Sequence, residues 1–239
     1  LIKGIEQGTA RRMSEVAREV TGLPFDRIAV VSGPNLAAEI AQRQPAATTV
    51  ACPDEDLAEH LAKACSTAYF RPFWTADVVG TEIGGAVKNV IALANGMAVG
   101  MGYGENSQSS LITRGLAEVT RLGVALGASP LTFLGLAGIG DLVATCQSPL
   151  SRNRTFGEHL GRGLTVEEAT IETRQTCEGV KSCRSILDLG EAHGVDMPIT
   201  EMVVRVVHEG LDPHRMLTWF LNRVHKPESE VGYGDPFGG

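Results

Sequence analysis

The stretch GGAVKNVIALANG, residues 84–96, decides how the chain is read. From Ile83 to Gly104 the only formal charge is Lys88. Ile83, Val87 and Ile91 recur at helical spacing, and Gly84, Gly85 and Ala86 allow other backbone to approach closely. An ammonium on such a helix is costly to bury unless it is paired or its pKa falls. Lysine ordinarily titrates near ~10.4, and desolvation brings it toward neutrality, where it can exchange a proton. The competing reading is a snorkelling lysine whose stem packs while its head reaches water. That reading is favoured on this helix alone, although Asn89 beside it adds a second polar group.

Working outward, two regimes of hydrophobic period separate near residue 80. Before it, strand and helix signals alternate. LIKGIE (1–6) reads as a strand end, 8–20 as a helix, RIAVVSG (27–33) as a buried strand, LAAEIAQ (36–42) as a short helix and AATTVAC (46–52) as a strand. Asp54 is a candidate cap for a helix bearing Leu57, Leu61 and Cys65, and AYFRPFW (68–74) is a strand that Pro72 pushes to a sheet edge. After it, helices are expected near 81–101, 107–127, 151–161, 165–171, 177–193, 198–210 and 212–223. The expected architecture is an α/β remnant, the C-terminal half of a Rossmann-type domain over 1–80, followed by an all-α helical domain over 81–224 and a flexible Gly/Pro-rich tail over 225–239. The opening, without Met or leader, reads as a chain cut inside a domain.

Three further stretches offer chemistry. GLAGIGDLVATC (135–146) places Asp141 after a glycine-rich turn, either as an N-cap or as the carboxylate facing Lys88. In SPLSRNRTFGEHLGRG (148–163), Ser151 is a plausible N-cap with Arg152 and Asn153 in the first helical turn. Arginine there opposes the helix dipole unless an anion, most naturally phosphate, sits at the same place, and an exposed basic turn is an equal alternative. VSGPNLAAE (31–39) presents Asn35 on a strand–turn–helix, and Glu178 in TCEGV (176–180) stands at a helix start where capping is the default.

Composition narrows the partners. Of 239 residues, 43% are hydrophobic and 21% charged, the profile of a globular protein, and the net charge of −7 disfavours nucleic acid or an anionic membrane. No apolar run reaches about 18 residues without polar or glycine interruption, so stable membrane insertion is not expected. The five cysteines form no CxxC pair, which fits a reduced cytoplasmic compartment with mostly buried thiols. No metal motif, GxGxxG, Walker lysine or GxSxG elbow is present.

Taken in order, KGIE (3–6), SGPNLAAE (32–39), EIGGAVKNVIALANGMAVGMGYGEN (82–106), RGLAE (114–118), GLAGIGDLVATC (135–146), SRNRTFGEHLGRG (151–163) and EGV (178–180) closely resemble bacterial NAD(P)-dependent glycerol-3-phosphate dehydrogenase, from residue 1 to about 224. The resemblance implies hydride transfer between NAD(P)H and dihydroxyacetone phosphate, feeding phospholipid synthesis. It implies that Lys88 is the proton donor and acceptor. Lys3, Gly33, Asn35, Asp141, Ser151, Arg152 and Asn153 match substrate positions, and Lys3, Ala37, Arg152 and Glu178 match cofactor contacts. At Asn35 the family more usually has Ser or Thr. The cofactor is NAD or NADP, the substrate a small phosphate ester, and a homodimer through the helical domain is expected. The family's glycine-rich phosphate loop lies upstream of KGIE and is not in these residues, so the 239 residues alone are expected to bind cofactor poorly and to turn over little. The alternatives are a two-domain dehydrogenase of the 6-phosphogluconate or 3-hydroxyacid type, and a non-catalytic helical assembly module.

Overall fold

The computed structural model describes residues 2–174 and 177–216. Most of the helix expected at 212–223 and all of the tail expected at 225–239 lie outside them.

The apolar stretch around Lys88 forms one long helix, α4 (Val78–Gly100). Asp77 starts it: its carboxylate accepts from Gly80 N at 2.8 Å and also takes Ser129 N at 3.0 Å and Thr132 Oγ1 at 2.6 Å, tying a later loop to the helix start. The sequence suggests one apolar face, but every residue from Gly80 to Ala98 is buried. The reason is that α4 is wrapped by α5 (Glu105–Ala125), α6 (Asp141–Gln147), α7 (Arg152–Gly161), α9 (Glu178–Ala192) and α10 (Pro198–Glu209). Its large side chains Ile83, Ile91, Leu93 and Met97 are completely covered, each contributing about 1.5–3 kcal/mol. By length and composition α4 could cross a bilayer (23 residues, mean hydropathy 1.2 over its best window), but 89% of that window is buried inside the fold.

The contact between α4 and α7 is backbone against backbone. A methyl on Gly96 or Gly100 would overlap the carbonyls of Arg154 or Glu158, and one on Gly157 or Gly161 those of Leu93 or Met97. Each helix therefore presents two glycines one turn apart to the other.

The α/β part precedes α4. Helix α1 (Met13–Thr21) leads to three strands, β1 (Val30–Ser32), β2 (Ala46–Ala51) and β3 (Phe70–Thr75), in the order β1-β2-β3. β1 runs antiparallel to β2, with Val31 opposite Val50. β3 is parallel to β2, with Thr48 opposite Pro72. Pro72 thus sits on an outer strand, as a residue without an N–H should. The five-residue α2 (Ala37–Ala41) follows β1, and α3 (Glu55–Ala64), capped by Asp54 accepting from Leu57 N at 3.0 Å, follows β2. α8 (Val166–Thr173) lies between α7 and α9.

Two local expectations are corrected. LIKGIE does not form a strand: among its described residues the sole pairing is an isolated antiparallel bridge of Ile5 to Arg12, which closes the turn before α1 instead of joining the sheet. The helix expected from residue 8 begins at Met13, since Gly8 and Ala10 take positive φ in the turn before it. That turn is anchored by the buried Glu82 of α4, which accepts from Ser14 N at 2.8 Å, Ser14 Oγ at 2.6 Å and Arg12 Nη1 at 3.3 Å.

Candidate active site

Lys88 does not snorkel. It is 7% exposed, and its Nζ donates to Asp141 Oδ1 at 2.5 Å and to Thr145 Oγ1 at 2.8 Å. Thr145 Oγ1 in turn donates to the Asp141 carbonyl at 2.6 Å, so its lone pair faces the ammonium. Two of the three N–H bonds of Lys88 are thereby fixed, and one remains for a ligand. Burial is the main influence on Lys88 and pulls its pKa down to about 8; Asp141 opposes the fall and Lys3 adds to it.

Asp141 opens α6 directly after the turn Leu136–Gly140. The N-cap alternative is set aside: its side chain is 3% exposed and is held between two lysines, Lys88 on one oxygen and Lys3 Nζ, at 2.7 Å, on the other. Lys3 also reaches Gly33 O at 3.3 Å and Asn35 Oδ1 at 3.5 Å. Gly33 has φ +136°, and a Cβ there would press on Thr48 at 3.1 Å, so the absence of a side chain lets its carbonyl face Lys3. Asn35 Nδ2 is buried with no partner and is a donor left for a ligand; Ser32 Oγ, which faces Gly85 of α4, is likewise unpaired. Ala37 is exposed at the start of α2.

The other candidate residues gather where the N-termini of α7 and α9 converge. Ser151 caps α7, accepting from Arg154 N at 3.3 Å. Asn153 Oδ1 accepts from Gly179 N and from the Cys177 thiol, both at 2.9 Å, and so joins the two helix starts. Arg152 Nη2 pairs with Glu178 Oε1 at 2.9 Å, with both side chains about two-fifths exposed. Two helix dipoles and a guanidinium face the same place, which suits a phosphate. This group adjoins the lysine cluster through α4: a Cβ at Gly179 would lie 2.8 Å from Asn89 O and 2.9 Å from Asn153 Oδ1.

The match to sequence profiles decides the lineage. Residues 77–218 match the C-terminus of NAD-dependent glycerol-3-phosphate dehydrogenase, and residues 1–58 match its N-terminus. The chain belongs to the NAD-dependent glycerol-3-phosphate dehydrogenase family. It is 64% identical over 228 residues to the glycerol-3-phosphate dehydrogenase (NAD(P)+) of Streptomyces griseus, covering 95% of this chain and 68% of that one. A Mycobacterium tuberculosis relative of the same description is 58% identical over 228 residues, with the same coverage. Among solved structures, glycerol-3-phosphate dehydrogenase from Coxiella burnetii superimposes with TM-score 0.87 at 38% identity, covering 92% of this chain and 67% of that one. The Saccharomyces cerevisiae enzyme gives 0.80 at 28%, covering 91% and 65%.

Set on this glycerol-3-phosphate dehydrogenase frame, the residues singled out from sequence fall into two adjoining groups: Lys3, Gly33, Asn35, Lys88 and Asp141, and Ser151, Arg152, Asn153 and Glu178. Thr145 was missed. The signal for it was its position one helical turn after Asp141, which puts both side chains on one face of α6. Four of the five cysteines are buried and all are free thiols; Cys65 is exposed.

Proposed function

We propose that this chain carries the proton-transfer and substrate-holding residues of an NAD(P)-dependent sn-glycerol-3-phosphate dehydrogenase, with residues 1–80 on the cofactor side and 81–224 on the substrate side. The observation that carries the reading is the buried Lys88 ammonium, clamped by Asp141 and Thr145 with one N–H uncommitted. In ketone reduction that N–H is given to the C2 oxygen of dihydroxyacetone phosphate; in alcohol oxidation the neutral amine takes the C2 hydroxyl proton. A pKa brought down to about 8 suits both directions near neutral pH. Arg152, with the N-termini of α7 and α9, holds the phosphate.

The residues present fit NAD or NADP: the partly exposed Arg152–Glu178 pair and the unpaired Asn35 Nδ2 offer donors and an acceptor to a polyoxygenated dinucleotide. When bound, the nicotinamide supplies or accepts the hydride. Lys3 holds the second oxygen of Asp141 and keeps that carboxylate from rotating away from Lys88. The reading extends to a cytoplasmic homodimer, supported by its free thiols and by the exposed Leu131, Leu134 and Leu150 of the helical part.

The test is NAD(P)H oxidation driven by dihydroxyacetone phosphate, with the natural protein and its Lys88→Met variant. Turnover should fall roughly 10²–10⁴-fold in the variant while the fold is retained. Undiminished turnover would remove Lys88 from the chemistry.

A further inference from the structure

Asn95 stands seven residues beyond Lys88 on α4, a spacing that returns its side chain to nearly the same face. Its Nδ2 donates to the Cys146 carbonyl at 3.0 Å. That carbonyl is in the last turn of α6, where carbonyls lack a helical partner. Asn95 is 1% exposed, and its Oδ1 is buried with no partner. Turning the amide over would set two oxygens against each other, so the carbonyl fixes its orientation. A buried, unpaired acceptor is unfavourable. Packing alone would favour leucine, of similar shape and with no polar atom to strand.

What the amide secures is α6. This helix has seven residues, too few to hold its place by its own hydrogen bonds. It meets α4 at two polar points: Asp141 and Thr145 on Lys88 at one end, and the Cys146 carbonyl on Asn95 at the other. The charged groups facing Lys88 are Asp141 from α6 and Lys3 from the N-terminal segment, while the buried Cys146 thiol stays neutral with its pKa pushed up to about 12.

We propose that Asn95 is a positioning residue for Lys88: by holding the Cys146 carbonyl it locks α6 onto α4 and keeps Asp141 Oδ1 and Thr145 Oγ1 on the ammonium. This rests on Lys88 being the proton donor and acceptor. When α6 slips, Lys88 loses the carboxylate that sustains its charge and the geometry that aims its remaining N–H.

Asn95→Leu and Asn95→Ala are compared with Lys88→Met in the natural protein. In both Asn95 variants kcat for ketone reduction should fall roughly tenfold or more, with KM for dihydroxyacetone phosphate within about twofold. The pH above which reduction declines should also move lower, which a purely structural loss would not produce. If Lys88→Met keeps its activity, the underlying reading fails. If Lys88→Met is crippled while the Asn95 variants keep the parental kcat and pH profile, the positioning role is overturned. Loss of the folded state in both Asn95 variants, seen by circular dichroism, assigns the residue to stability and overturns the role as well.

Discussion

Lys3 and Lys88 hold opposite oxygens of one carboxylate, that of Asp141, at 2.7 and 2.5 Å. Two cations against one anion leave one positive charge in a largely buried wall, which favours an anionic substrate. The same arrangement makes Asp141 the group that keeps Lys88 protonated. Asp141→Asn removes that support while burial and Lys3 continue to act against the charge, so the Lys88 pKa falls below about 8. With Lys88 as the proposed proton donor, ketone reduction needs the ammonium, so its rate should decline as pH rises through this pKa. In Asp141→Asn the decline should begin at least about one pH unit lower. The pH–rate profile of dihydroxyacetone phosphate reduction measures it, and an unmoved profile rejects Asp141 as the group sustaining the charge.

The proposed anion site makes a separate prediction. Arg152 is paired with Glu178 yet remains about two-fifths exposed, so its guanidinium can reach a ligand. Arg152→Ala should raise KM for dihydroxyacetone phosphate by roughly 10- to 100-fold, the worth of a charge-assisted contact of about 1.5–3 kcal/mol. Arg152→Lys should recover only part of this, because an ammonium lacks the planar fork with which a guanidinium grips a phosphate. Initial-rate kinetics at saturating cofactor decide it, and an Arg152→Ala enzyme with parental KM would locate the phosphate elsewhere.

How much of this was legible beforehand depended on how local the signal was. Lys88 stood out because nothing else in Ile83–Gly104 is charged. Asp141 could be weighed as its partner, but only the fold chooses between that role and a cap. Thr145 and Asn95 are ordinary polar residues within helices, and their importance comes from what α4 and α6 place opposite them. LIKGIE is apolar enough to read as a strand end, yet pairing depends on a neighbouring strand, and its described residues make only the Ile5–Arg12 bridge. The helix expected over 151–161 already contained Gly157 and Gly161; that they face Leu93 and Met97 is a matter of helix crossing.

Glu118 gives a pH prediction away from the site. It is fully buried on α5 and accepts from Ile199 N at 2.8 Å, Thr200 N at 2.9 Å and Thr200 Oγ1 at 2.5 Å, capping α10 from across the core. Burial outweighs these bonds and raises its pKa from 4.5 to about 6. Between those values the folded state binds more protons than the unfolded one, so stability falls as pH rises through that window. The shift corresponds to about 2 kcal/mol. Glu118→Gln does not titrate. The stability difference between parent and variant should therefore shrink by about that amount from pH 4.5 to pH 7, measured by urea unfolding. A constant difference would show that Glu118 does not take up a proton on folding.

The last prediction joins packing to the anion site. Gly161 ends α7 against α4, and a methyl there would overlap the Met97 carbonyl and crowd the Met97 Cα. Both neighbours are backbone, and α4 has no free side to move toward, being buried from Gly80 to Ala98. In an exposed helix Gly→Ala stabilises by about 1 kcal/mol. Here overpacking should win, with a net loss of about 1–2 kcal/mol. The displaced α7 also carries Arg152 and Asn153 at its other end, so Gly161→Ala should raise KM for dihydroxyacetone phosphate more than it lowers kcat. Gly104→Ala is the control: its φ is −75° and nothing lies within 4 Å of the added methyl, so stability and KM should stay close to parental. Thermal unfolding and initial rates on the two variants separate the cases. Equal behaviour of Gly161→Ala and Gly104→Ala would mean that the close α4–α7 contact does not set the position of the turn proposed to bind phosphate.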